Sequence, residues 1–104
     1  MPVDRVKVDL GLRLPQALTH QNARSVLRSL VSSVRATPEA TVVVDARDLG
    51  QFDSSALAVL LELRRQARAL NKGFAVAHLP AKARLLAQVY GVAELLPEHA
   101  SVGG

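Results

Sequence analysis

Residues 42 to 62 constrain what this chain can fold into more than any other stretch: Val42-Val43-Val44-Asp45-Ala46-Arg47-Asp48-Leu49-Gly50-Gln51-Phe52-Asp53-Ser54-Ser55-Ala56-Leu57-Ala58-Val59-Leu60-Leu61-Glu62. Three consecutive β-branched residues read as a strand covered on both faces, because such a strand shows an unbroken apolar run and not an alternation. Asp45 closes the strand, and a short polar turn with Gly50 follows. Asp53-Ser54-Ser55 then leads into a long apolar helical pattern. Short polar side chains at a helix start accept hydrogen bonds from its first free N–H groups. The stretch is therefore strand, turn and capped helix, with two serine hydroxyls at the positive end of a helix dipole.

The flanks repeat this alternation of strand and helix. Val3, Val6, Val8, Leu10, Leu12 and Leu14 recur at a spacing close to two, which predicts strand material interrupted or bulged at Gly11 and ended by Pro15. Residues 19 to 36 read as a helix with Thr19 at its N-cap and an apolar stripe of Ala23, Val26, Leu27, Leu30, Val31 and Val34. Arg24, Arg28 and Arg35 lie mostly on its other side. The second helix runs over 54 to 70. Its apolar surface is Ala56, Leu57, Leu60, Leu61, Leu63, Ala67 and Leu70, and Glu62, Arg64, Arg65 and Arg68 mark its wet side. Asn71-Lys72-Gly73 ends it, with Gly73 suited to a left-handed cap position. Phe74 to Ala77 is a further strand, and Ala81 to Tyr90 is a third helix with Ala83, Leu86, Ala87 and Tyr90 on one stripe, stopped by Gly91. Val92 to Leu96 is a short element of no assigned type. One domain over residues 1–97 is expected, followed by a flexible tail over 98–104. This order predicts an α/β fold, a mixed and mostly parallel sheet flanked by helices. Such sheets bind at the C-terminal ends of their strands, where Asp53-Ser54-Ser55 falls.

Composition narrows the chemistry. With no cysteine among 104 residues, disulfides and thiolate metal sites are excluded. Aromatics make up only 3%, too few for a stacking platform for single-stranded nucleic acid, and a net charge of +4 does not by itself make a nucleic-acid surface. The N-terminus lacks a signal pattern, and the longest apolar run, Ala56 to Leu61, is far short of the roughly 20 residues that span a bilayer. No direct membrane insertion is expected, and a cytoplasmic place is.

The enzyme readings fail one by one, so no catalytic residue is assigned. A nucleophile elbow needs glycines on both sides of its serine, whereas Phe52-Asp53-Ser54-Ser55-Ala56 has none. A nucleotide-hydrolysing loop needs Gly-Lys-Ser or Gly-Lys-Thr, which is absent. His20, His78 and His99 stand alone, so neither a metal nor any other cofactor is expected. A phospho-accepting receiver domain would need a second acid beside Asp9 and a lysine where His78 ends the later strand. Asp45 is then expected to hydrogen-bond the turn over 46 to 53. Arg64, Arg65, Arg68 and Lys72 form a basic ridge, which reads either as a solvated face or as a docking edge for an acidic partner.

The run Val42 to Asp45, the turn, and Phe52-Asp53-Ser54-Ser55-Ala56-Leu57 with its helix resemble a STAS domain, the fold of bacterial anti-sigma factor antagonists. Ala56 stands where that pattern usually has glycine. The resemblance implies a non-enzymatic, partner-binding module. In the antagonist branch it implies phosphorylation of Ser55 by an anti-sigma factor kinase. In the MlaB branch, the STAS subunit of a phospholipid-transport ABC complex, it implies that Ser54 faces the transporter ATPase at the inner membrane. The ending Ala83-Arg84-Leu85-Leu86-Ala87-Gln88-Val89-Tyr90-Gly91-Val92, then Leu95-Leu96-Pro97, is similar to the MlaB branch, which is the leading expectation. The expected partner surface is Phe52, Asp53, Ser54, Ser55, Leu57 and Leu61, oriented by Arg64, Arg65 and Arg68.

Overall fold

The valine run is the centre of the sheet. In the computed structural model, which describes residues 12–99, β3 (Thr41–Asp45) lies between β1 (Leu12–Arg13) and β5 (Gly73–Ala77), and both pairings are parallel. Val42 and Val44 are 1% and 0% exposed, as a strand enclosed by neighbours and helices requires. A second, two-stranded parallel sheet joins β2 (Ala17–Leu18) to β4 (Gln51–Phe52). The helices are α1 (Ala23–Ala36), α2 (Ser54–Ala69) and α3 (Ala81–Val89), followed by one 3-10 turn at Ala93–Leu95. The α/β expectation holds, and every strand pairing among the described residues is parallel.

The crossovers β1–α1–β3 and β3–α2–β5 step across the sheet in one direction. With the same hand they place α1 and α2 on one face, where the two helices pack side by side. The apolar stripes do what their spacing predicts. Leu30 and Val34 of α1 and Leu60, Leu63 and Ala67 of α2 close over Val42, Val44 and Val76. No helix among the described residues is long and apolar enough to cross a membrane.

The helix ends differ from expectation in instructive ways. Helix α1 starts at Ala23, not at Thr19. Residues 19 to 22 form a turn in which Ala23 N donates to Thr19 O at 2.9 Å. The Asn22 side chain accepts from Thr19 N and donates to Ala17 O, both at 2.9 Å, so it ties the turn to β2 and makes no cap bond to the helix. Helix α2 ends with Lys72 N donating to Ala67 O at 2.9 Å around Asn71 at φ 61°. This is a left-handed cap built on asparagine, which tolerates positive φ through its short polar side chain. Gly73 is not that cap. It opens β5 where a Cβ would come within 3.1 Å of Thr41 Oγ1.

Helix α3 closes in the same way around Gly91 at φ 73°, with Val92 N donating to Ala87 O at 2.9 Å. A Cβ at Gly91 would meet no neighbour within 4 Å, so Gly91→Ala would pay only the backbone cost of an L-residue in the left-handed region. The expected loss is about 1 kcal/mol, read from a urea midpoint with an unchanged slope.

Two apolar residues leave their predicted stripes: Tyr90 is 58% and Leu70 43% exposed, each just past the last turn of its helix. The first residues of the expected tail lie against the sheet. Glu98 bridges to Val76 and pairs with Arg84, and His99 N donates to Val76 O at 2.8 Å. The predicted strand over residues 3 to 11 and the tail over 100–104 lie outside the described residues.

Candidate functional site

The β2–β4 pairing builds the site. Its register sets Leu18 opposite Phe52, so the chain leaving β2 and the chain leaving β4 run out side by side. His20 thereby comes next to Asp53. The Asp53 carboxylate accepts from Ser55 N at 2.8 Å through Oδ1, and from His20 N at 3.1 Å through Oδ2. The ring Nδ1 of His20 lies 3.2 Å from the same Oδ2. Asp53 is thus the N-cap of α2, as its position predicts, and also a clamp on the turn that starts α1.

The backbone N–H of Ser55, followed by that of His20, holds the Asp53 carboxyl down from 3.8 to about 2. A lowered folded-state pKa means that its contribution to stability is complete above pH 3.8 and disappears as the pH falls towards 2. Asp53→Asn keeps a capping oxygen and removes the titration. The variant is expected to match the wild type more closely at pH 2.5 than at pH 5 in urea unfolding. An equal gap at both values would count against the clamp.

The two hydroxyls face different ways. Ser54 is exposed at the tip of α2, whereas Ser55 is half-buried and turned towards α1. There it lines an interhelical groove of about 320 Å³ with Ala58 and Val59 from α2 and His20, Ala23, Arg24 and Leu27 from the α1 side. Ala56, at the usual glycine position, is 1% exposed, so its methyl lies in the core and does not crowd the mouth.

The other expected contact residues separate. Phe52 and Leu61 are half-buried and keep an exposed edge. Leu57 does not: at 4% exposure it is a core residue, because it shares the inward stripe with Leu60. The basic ridge also breaks up. Arg65 donates from Nε and a terminal guanidinium nitrogen to both Glu62 oxygens, so its charge is already matched. Arg65 first, then Gln66, holds the Glu62 carboxyl down to about 2. Lys72 turns back to donate to Glu39 O at 2.6 Å and Thr37 O at 2.9 Å. Half-buried Arg64 and exposed Arg68 remain, roughly 180° and 140° around α2 from Ser55. The basic side chains beside Ser55 are instead Arg24 and His20, neither of which is among the expected contact residues. No local pattern marks them, since only the pairing of two-residue strands brings them there.

Asp45 is the buried carboxylate among the described residues, at 5% exposure. As expected it bonds the following turn: Arg47 N donates at 2.9 Å and Arg47 Nε at 3.0 Å. His78 Nδ1, from the end of β5, lies 3.3 Å away. Burial pushes this carboxyl up, but the backbone N–H and guanidinium of Arg47, with His78, outweigh it and hold the group below its ordinary value. The cluster fixes the start of the turn that delivers Asp53. No group of three metal-ligating side chains occurs among the described residues.

A family model described as "Mlab, STAS domain" matches residues 1–97. The chain belongs to the STAS family. STAS domains are non-catalytic modules that act by binding other proteins. No curated protein matches this STAS domain. Among solved structures, an anti-sigma-factor antagonist (STAS) domain protein from Planctomyces limnophilus superposes with a TM-score of 0.73 at 16% identity, over 91% of this chain and 87% of that one. The anti-sigma factor antagonist SpoIIAA in its unphosphorylated form gives 0.67 at 17% identity, over 86% of this chain and 77% of that one. At such identities the likeness establishes a shared fold.

Proposed function

We propose that this STAS domain is a regulatory, partner-binding module of the anti-sigma-factor-antagonist kind, switched by phosphorylation of Ser55. The observation that carries the reading is the mouth of α2, where Ser55 shares a groove with Arg24 and His20 at the positive end of the helix. Support comes from the two solved structures of the same fold, both of them antagonists by title, one described as unphosphorylated. In the switch, a partner kinase moves the γ-phosphoryl group of ATP to Ser55 Oγ. The Oγ–P bond forms, the bond from that phosphorus to the bridging oxygen breaks, ADP leaves, and the hydroxyl proton passes to solvent. The phosphate adds nearly two negative charges next to Asp53 and changes the surface that a partner meets.

A second reading makes this domain the STAS subunit of a phospholipid-transport ABC complex. The description of the matching family model favours it. Here exposed Ser54 would face the transporter ATPase at the cytoplasmic side of the inner membrane, with Phe52 and Leu61 as apolar contacts and Arg64 and Arg68 at the rim. Intact-mass measurement of the chain purified from its own cells separates the two. One added phosphate, lost in Ser55→Ala, is the expected result. An unmodified chain that co-purifies in equal amounts with an ABC transporter ATPase would replace the first reading with the second.

A further inference from the structure

We propose that the groove between α1 and α2 is the receptor for this domain's own phosphate: Arg24 reaches across from α1 and holds the phosphate carried by Ser55. The inference rests on the reading that Ser55 is modified, and it adds the residue that would read the modification. Three observations carry it. Ser55 is half-buried and lines the groove, so a phosphate on its Oγ extends into that space and not out beside Ser54. Arg24 lines the same groove, and among the described residues no carboxylate pairs with its guanidinium, a group of five donors. Asp53, whose carboxylate accepts from Ser55 N at 2.8 Å and from His20 N at 3.1 Å, stands at the mouth between the two and repels an anion away from that end of the groove.

The charges around the phosphate can be named from each packed element. On the α1 side are Arg24 and His20, with Arg28 one turn further on. On the α2 side are Asp53 and, two turns further on, Glu62, already matched by Arg65. A guanidinium fork matches phosphate geometry and stays charged at every accessible pH. The His20 ring lies on the same side, though Asp53 competes for it, with Nδ1 3.2 Å from Asp53 Oδ2. Pairing with Arg24 would pin α1 to α2 at the mouth. The modified state would then be an ordered surface of altered shape, and not merely a more negative one.

The test installs phosphoserine at position 55 co-translationally, with no kinase, and follows its 31P shift against pH. A free phosphoserine loses its second proton near pH 6. Arg24→Gln is expected to raise the midpoint by on the order of half a unit or more at low salt, and Arg28→Gln by clearly less. Arg24 is exposed, so the variant should fold as the wild type does. Thermal melting supplies a second readout: the phosphate should raise the midpoint in wild type and raise it less, or lower it, in Arg24→Gln. Equal 31P midpoints in wild type and Arg24→Gln, or equal shifts from Arg24→Gln and Arg28→Gln, would overturn the proposal. Because the phosphate is built in, that failure is distinct from a failure to find modified Ser55 in cells.

Discussion

Leu60→Ala is expected to cost about 3 kcal/mol of folding stability, while Leu61→Ala costs less than about 1. Leu60 is 0% exposed against the sheet, and its neighbour is half-buried at the rim of the core. Truncating a fully enclosed leucine removes its transfer free energy and leaves a cavity that close-packed neighbours fill only in part. A domain of this size holds roughly 5–15 kcal/mol in all, so the loss should lower the melting midpoint by about 15 °C. The contrast matters beyond stability. Rolling α2 by one residue, about 100°, so that Ser54 takes the place of Ser55 would also move Leu60 out to the rim position of Leu61 and put Val59 in its place. Urea unfolding of the two variants therefore tests which hydroxyl faces the groove. Equal losses would remove the structural basis for assigning Ser55 to it.

How much of this arrangement the sequence carries depends on whether the signal is local. Val42 to Val44 announce a central strand because burial on both faces leaves no polar residue in the run. Asp53 announces its cap because short side chains win that position by direct bonding to the first N–H groups. The inward stripes of α1 and α2 follow from helical spacing, and they hold apart from the rim positions Leu61 and Leu70. What escapes is non-local or brief. Two-residue strands such as β2 and β4 show no period, yet their register brings His20 to Asp53. The bond between Asp45 and His78 joins the ends of two strands 33 residues apart. The left-handed position after α2 falls on Asn71 and not on Gly73, because the closing bond from Lys72 N to Ala67 O counts residues from the helix end and takes whichever short side chain stands there. The pairing inside the basic ridge is hidden for a related reason: residue type shows that arginines are present, but not that Glu62 already holds Arg65.

Ser55→Asp is expected to weaken partner binding at least tenfold, whereas Ser55→Ala and Ser54→Ala each change it less than threefold. The unmodified module should bind without help from either hydroxyl, since Asp53 and not a serine side chain caps α2. A carboxylate at position 55 adds one charge where a phosphate would add nearly two, so Asp is a weak imitation and tenfold is a lower bound for the proposed switch. A tenfold loss corresponds to about 1.4 kcal/mol, well within what a charge added beside a docking surface changes. The measurement is a titration of each variant against the partner isolated with the wild-type chain, at two salt concentrations. A charge effect must shrink as salt rises, while a purely steric one must not. The opposite pattern is equally definite. If Ser54→Ala loses tenfold while Ser55→Asp binds normally, the contact is the exposed hydroxyl at the tip of α2. The interface is then the one proposed for a transporter ATPase, and Ser55 only lines the groove behind it.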